Sequence, residues 1–301
     1  MYDRILVPTD GSEAASTAAS VAVSLASRHD ASLVAISVLE HGDLPPGVSD
    51  DGERELTRSG EQALTEIVDL AAEAGVSSTT EVIEASRPIH EEIIEYATDH
   101  DVDCIVMGTH GRSGLRRIVL GSVAERTLRT APIPVITVHE TVDFDPDLES
   151  VLVPTDGSAG AAAAADHAIG LAGAAEAALH IVHVVDSSSL HGAVDVASVF
   201  EALEEAGQQA VDEIVERAEA ADLRSIEASV LAGIPSSAIV EYADERDVDC
   251  IVMGTHGRTG LDRYLLGSVT ERVVRLADVP VITVKAPEMV AELKSEPPDG
   301  A

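Results

Sequence analysis

The sequence is written twice, and this limits what it can fold into more than any other feature. The stretch Val102-Asp-Cys-Ile-Val-Met-Gly108-Thr-His-Gly111-Arg-Ser-Gly-Leu-Arg-Arg-Ile-Val-Leu-Gly121-Ser122-Val123 returns from Val248 to Val269 with 18 of 22 positions identical. Pro8 and Pro154, Cys104 and Cys250, and Pro134 and Pro280 are all 146 apart. The register slips by one in between, where Gln62-Ala63 matches Gln209-Ala210. It recovers by Ile93-Ile-Glu-Tyr96 and Ile239-Val-Glu-Tyr242. A repeat this long is a whole domain rather than a solenoid unit, and about 145 residues can build one good core. The seam Glu140–Glu149 is acidic and contains Pro146, which suits an exposed linker. The expected organisation is a domain over 1–140, a linker over 141–148, a second domain over 149–286 and a flexible tail over 287–301.

Hydrophobic periodicity divides each half into five strands alternating with four helices. Strands are expected near 3–8, 32–39, 79–84, 103–108 and 134–138, then near 149–154, 178–185, 225–231, 249–254 and 280–284. Segments such as Cys104-Ile-Val-Met107 are apolar on both faces, the mark of a parallel sheet covered by helices. The fold class is therefore α/β, with two tandem doubly wound parallel five-stranded sheets and helices on both faces; the expected strand order is 3-2-1-4-5. Ligands of such sheets bind beyond the carboxyl ends of the strands, where the order reverses. Two loops per half meet there if strands one and four are neighbours. One follows strand one, Pro8-Thr9-Asp10-Gly11-Ser12 and Pro154-Thr155-Asp156-Gly157-Ser158. The other follows strand four, starting at Gly108 and Gly254.

The second loop has the form Gly-x-x-Gly, nine residues, Gly-Ser. Gly108 and Gly111 let the backbone approach an anion without a side chain in the way. Gly121-Ser122 opens a helix, so free N–H groups and the positive dipole end face the same point. Ser122 either caps that helix or donates its hydroxyl to phosphate. Arg112, Arg116 and Arg117 add local positive charge, and Gly257, Arg258, Gly267, Ser268 and Val269 repeat the arrangement. Neither glycine loop carries the Gly-Lys-[Ser/Thr] of a Walker A loop, and no Gly-x-Gly-x-x-Gly occurs. Asp10 reads either as a helix N-cap or Asx turn or as a carboxylate for a ribose hydroxyl, and one residue can do both. His110 and His256 lie inside the loops, where they either touch phosphate or bond to neighbouring backbone. His180 and His183, three apart on one strand, face opposite sides and form no metal pair.

Composition narrows the partners. With 54 acidic and 19 basic residues the formal charge is −35, and only Lys285 and Lys294 are lysines. Such a surface repels nucleic acid and anionic membranes, and 2% aromatic residues leave few stacking platforms. The acidity is spread along the helices, as in adaptation to a salt-rich cytoplasm. Met1–Pro8 enters a strand at once, without a basic and apolar leader, and Ala159–Val185 is interrupted by Asp166, His167, Glu176 and His180. The expectation is a cytoplasmic chain without a membrane span. Cys104 and Cys250 read as reduced core residues rather than redox or metal groups.

The glycine pattern, the Val-Pro-Thr-Asp-Gly-Ser first turn and the closing Pro-Val-Ile-Thr-Val strand resemble the universal stress protein family, in its ATP-binding branch. The resemblance covers residues 2–139 and 149–285. It implies an adenine-nucleotide site in each half, holding ATP, AMP or ADP, with Mg2+ or Mn2+ arriving on the phosphates. Pro8, Thr9, Asp10 and Val38 would meet ribose and base, and Met107 and Gly108 would flank them. His110, Gly111, Arg112, Gly121, Ser122 and Val123 would hold phosphates. The second site would use Pro154, Thr155, Asp156, Val184, Met253, Gly254, His256, Gly257, Arg258, Gly267, Ser268 and Val269. The resemblance also implies pairing through strand five, Val135–Val138 with Val281–Val284, within a chain or in a homodimer. Two departures stand out. Arg116 is matched by Asp262, which implies weaker triphosphate binding in the second half, and Gly233-Ile-Pro235 is Ser86-Arg-Pro88 in the first.

Three function classes follow: a nucleotide-binding stress or signalling protein acting through an unidentified protein partner, an ATP-using enzyme (slow hydrolysis, or adenylyl or phosphoryl transfer), and an inert dimer module. One physical consequence holds for all three. The Debye length grows from about 3 Å at 1 M salt to about 30 Å at 0.01 M, so the carboxylates repel one another over longer distances in dilute buffer. Circular dichroism should show loss of structure or cooperativity on desalting; full stability in dilute buffer would mean that the acidity has another role.

Overall fold

The computed structural model describes residues 1–39, 50–111, 120–142, 144–186, 196–257 and 266–295. The chain divides into two compact units, Met1–Pro146 and Asp147–Ala301, and the division falls inside the acidic seam. The first unit runs β1 (Arg4–Pro8), α1 (Glu13–His29), β2 (Ser32–Leu39), α2 (Asp50–Glu73), β3 (Ser78–Glu84), α3 (Ile89–Asp99), β4 (Cys104–Gly108), α4 (Ser122–Thr130) and β5 (Val135–Val138). The second runs β6 (Ser150–Pro154), α5 (Ala159–Ala175), β7 (Ala178–Asp186), α6 (Val196–Ala220), β8 (Ile226–Gly233), α7 (Pro235–Glu245), β9 (Cys250–Gly254), α8 (Ser268–Leu276) and β10 (Val281–Val284), followed by α9 (Pro287–Ser295). The segment expected to be a flexible tail thus begins with a helix. Pro287 presets its first turn. The Val290 N–H donates to Ala286 O at 3.2 Å.

All strand pairs within each unit are parallel. The order is β3-β2-β1-β4-β5 in the first unit and β8-β7-β6-β9-β10 in the second. The central strands are sealed on both faces: Ile5, Leu6 and Val7 on β1, and Cys104, Ile105 and Val106 on β4, are completely buried. In the first unit α1 and α2 share one face of the sheet, and α3 and α4 pack together on the other. β3 lies at the sheet edge and carries exposed Thr79, Thr80, Glu81 and Glu84, polar groups that discourage further strand addition.

Polar side chains set the chain turns the same way in both units. Asp103 Oδ2, at the entrance to β4, accepts from the Asp3 and Arg4 N–H groups, both at 2.8 Å. Asp249 Oδ2 does the same for Glu149 and Ser150, again at 2.8 Å. Each carboxylate therefore ties the start of the fourth strand to the start of the first. Serine side chains cap the first helix of each unit. Ser12 accepts from Ala15 N at 3.3 Å to cap α1, and Ser158 accepts from Ala161 N at 3.2 Å to cap α5. The units differ before the third helix. Glu92, 8% exposed, accepts from Ser86 N, Ser86 Oγ and Arg87 N at 2.8, 3.1 and 3.2 Å. The second unit has Ala238 at that place, and its chain passes from Gly233, the last residue of β8, through Ile234 directly into α7. The difference is confined to the turn, yet it anchors the helix that carries Ile89 and Ile93.

Burial shifts several titratable groups, among them two cysteines and a lysine. Cys104 and Cys250 are free thiols inside the sheet, and burial pushes both well above the usual range, so they stay protonated and unreactive. Lys285, just after β10, is 6% exposed, and burial pushes its ammonium down to about 7. The unfolded chain keeps the ordinary value, so between about 7 and 10.5 it binds a proton that the folded chain does not, and this group's contribution to stability rises with pH. Lys285→Met should therefore raise the melting temperature by roughly a few degrees at pH 6 to 7. The gain should shrink toward pH 10. Differential scanning calorimetry across that range checks it; a gain independent of pH would show that charge burial is not the cause.

Candidate functional site

β1 and β4 lie side by side only at their beginnings, with Ile5 opposite Cys104 and Leu6 opposite Ile105. Their chains then part, one into α1 and the other into the glycine loop, and a cleft of about 320 Å³ opens between them. That volume lies within the ~300–1,000 Å³ common for small-molecule sites. Eleven of the twelve residues expected in the first site line it: Pro8, Thr9, Asp10, Val38, Met107, Gly108, His110, Gly111, Gly121, Ser122 and Val123. The twelfth, Arg112, lies outside the described residues, as do Arg116, Arg117, Arg258, Asp262 and Arg263. Four further residues complete the wall: Ala15, Ala124, Ile89 and Ile93. The last two sit one helical turn apart on α3, a spacing visible in the sequence. What it does not reveal is that this stripe faces the end of β4.

The first turn assigns each polar atom a task. Thr9 Oγ1 accepts from Gly11 N at 3.2 Å, and Asp10 Oδ1 accepts from Ser12 N at 3.0 Å. The second of these bonds closes an Asx turn. Ser12 caps the helix, so Asp10 does not. The other Asp10 oxygen, Oδ2, packs against Gly111, where a Cβ would collide with it. Gly108 is crowded from the opposite side: a Cβ there would lie 2.8 Å from the Ala14 carbonyl carbon. The cause is α1, which crosses the end of β4 at close range, and only glycine leaves room for it.

The return of the loop is pinned by Gly121 N, which donates to Thr109 O at 2.8 Å. Gly121 occupies the N-cap position of α4 and offers no side-chain cap, so Ser122 is the first helical residue and not the cap considered from sequence. The first turn of α4, with its positive dipole end, therefore faces the cleft through Gly121, Ser122, Val123 and Ala124. Beside it, Thr109 Oγ1 bonds to His139 Nδ1 at 2.9 Å and lies 3.2 Å from His110 Nδ1. His110 Nε2 donates to Glu140 Oε2 at 3.4 Å. His110 thus bonds to neighbouring side chains rather than to backbone, with its ring on the cleft wall.

The second unit brings its matched residues together by the same contacts. Thr155 Oγ1 accepts from Gly157 N at 3.1 Å and Asp156 Oδ1 from Ser158 N at 3.0 Å; in addition Thr155 O accepts a 2.8 Å bond from His183 Nδ1, which stands where the first unit has Ser37. Gly257 packs against Asp156 as Gly111 does against Asp10, and Gly267 N donates to Thr255 O at 2.8 Å. Pro154 and Met253 close the ends of β6 and β9, Val184 is half-buried near the end of β7, and Ser268 and Val269 open α8 below Gly267. Gly160 stands where the first unit has Ala14, and a Cβ there would run into His256 O. Thr270, in place of Ala124, donates to Gly254 O at 2.8 Å. His180 and His183 have separate partners, Tyr242 and Thr155. Among the described residues, no cluster of His, Cys, Asp and Glu is arranged to hold a metal.

The Usp family model (Universal stress protein family) matches residues 1–139 and again 148–285. This chain belongs to the universal stress protein family. A universal stress protein of Methanocaldococcus jannaschii is 41% identical over 143 residues, 46% of this chain and 84% of its own length. One from Mycolicibacterium smegmatis is 28% identical over 299 residues, covering 93% of this chain and 96% of its own. The crystal structure of a universal stress protein from Archaeoglobus fulgidus superposes with a TM-score of 0.70 over 94% of this chain and 98% of that one, at 24% identity, a likeness of fold. No helix among the described residues of this universal stress protein is long and apolar enough to cross a membrane.

The glycine contacts separate fold from site. Gly108→Ala and Gly254→Ala each place a Cβ against helix backbone, and each should destabilise the chain by roughly 1–3 kcal/mol in denaturant titrations. Gly111→Ala meets only the movable Asp10 carboxylate and should cost far less. Equal costs at Gly108 and Gly111 would show that the α1 approach does not constrain β4.

Proposed function

We propose that each half binds one adenine nucleotide, with ATP as the principal ligand, and that the chain acts in stress response or signalling through a protein partner that responds to occupancy. The carrying observation is the convergence, in one cleft, of three parts that suit three parts of a nucleotide. The α4 first turn and the glycine loop suit the phosphates, Asp10 suits the ribose hydroxyls, and Val38, Ile89, Ile93 and Met107 form an apolar slot for a base. A divalent cation would enter on the phosphates, with the Asp10 carboxylate nearby.

Sheet register supports adenine as the base. Ile36 O accepts from Thr9 N, so the Ile36 main chain faces β1; two residues on, the Val38 N–H and C=O face the same way. By then β1 has ended at Pro8. One donor and one acceptor therefore face the cleft, the complement of adenine N1 and its 6-amino group. Guanine offers the reverse pattern at those two positions. Val184 stands in the same relation to β6, because Val182 O accepts from Thr155 N.

Calorimetric titration of the whole chain with ATP in high salt should give a stoichiometry near two. Gly111→Val or Gly257→Val should remove one site each, and GTP should bind at least about tenfold more weakly. A folded chain that binds no ATP would overturn the reading, and equal affinities for ATP and GTP would overturn the assignment of Val38 and Val184 to the base.

A further inference from the structure

The glycine loops are near-copies, but what stands behind them is not. In the first cleft the His110 ring is bonded on both nitrogens, by Thr109 Oγ1 at Nδ1 (3.2 Å) and by Glu140 Oε2 at Nε2 (3.4 Å). Glu140 is itself anchored, since its carbonyl accepts from Thr17 Oγ1 on α1 at 3.1 Å. The first cleft therefore already holds a carboxylate against a side chain that lines its wall beside Gly111 and Gly121. In the second half His256 keeps its bond to Thr255 Oγ1 at 3.0 Å, but the residue matching Glu140 is Ala286, a buried methyl group.

We infer that Glu140 is a specificity-determining residue of the first cleft: its carboxylate occupies the His110 Nε2–H that a phosphate oxygen would otherwise take, and so disfavours ligands in proportion to the negative charge they bring there. The inference rests on the nucleotide reading above and adds selectivity by phosphate number. A phosphate chain reaching His110 must displace the carboxylate or lie beside it, and both cost binding energy through like-charge repulsion. AMP, which carries less charge, is penalised less than ATP. The second cleft lacks this element.

The test uses the whole chain with the second cleft closed by Gly257→Val, at one fixed salt concentration. Glu140→Gln keeps the main-chain bond to Thr17 and removes the charge. It should tighten ATP binding to the first cleft by about three-fold, the scale expected of a half-exposed charge pair, and change AMP binding much less. In a His110→Ala background the same change should have little effect on ATP, because without the imidazole no donor draws a phosphate oxygen up to the Glu140 carboxylate. Should the Gly257→Val chain not fold, the ring signals of His139, which is bonded to Thr109 beside His110, report the first cleft in every variant of a histidine-labelled NMR sample, through the ATP concentration at which they shift. Unchanged or weakened ATP binding in Glu140→Gln, or an equal gain with and without His110, would overturn the inference while leaving the nucleotide site standing. A wild-type chain that binds no nucleotide would overturn both.

Discussion

The short pairing of β1 with β4 is the constraint on which the rest of each unit depends. Two residues on each strand face one another, Ile5 with Cys104 and Leu6 with Ile105, and the Asp103 carboxylate fastens the two entrances together. Parallel strands on both sides of this seam require crossovers on opposite faces, so their chains must leave it in opposite directions. A crevice at the carboxyl ends follows from that geometry before any functional residue is chosen. The close approach of α1 to Gly108 has the same origin: a helix that starts at the seam crosses the neighbouring strand where it ends.

What the crevice offers a ligand is determined by its backbone. A helix entered through glycine without a side-chain cap turns N–H groups and a positive dipole end toward it. A strand that outruns its neighbour does the same for Val38. Together they present donors and one acceptor at defined positions along an apolar slot, with Asp10 held between them by its own Asx turn. A ligand with anionic groups at one end and a planar polar edge at the other satisfies all of them at once.

The two halves show how duplicates drift without losing this frame. Apart from the turn before the third helix, the caps and strand-entry carboxylates are the same in both, down to left-handed backbone at Asp30 and Glu176 and at Asp101 and Asp247. Changes lie in side chains around this frame. Ala14 becomes Gly160, Ala124 becomes Thr270, Ser37 becomes His183 and Glu140 becomes Ala286. The glycine loops keep their spacing through these changes, because backbone contacts tolerate few substitutions and the side chains around them tolerate many.

Local pattern was enough to determine the duplication, the five strands of each half and nearly all of the first cleft's expected lining. These follow from apolar runs with a strand's length and from glycines at fixed spacing, both of which act over a few residues. Serine's role was less legible: Ser12 and Ser122 each precede a helical run, yet only Ser12 caps, because Gly121 takes the N-cap place on α4. The helix after Pro287 is not legible in the sequence, since a short amphipathic run in a polar segment looks the same in either state. Ile89 and Ile93, the partner of His110 and the burial of Lys285 were decided by tertiary structure alone. Each depends on which helix or strand end comes to lie beside a residue far away in the chain, and that is set by packing across the sheet rather than by any neighbour in sequence.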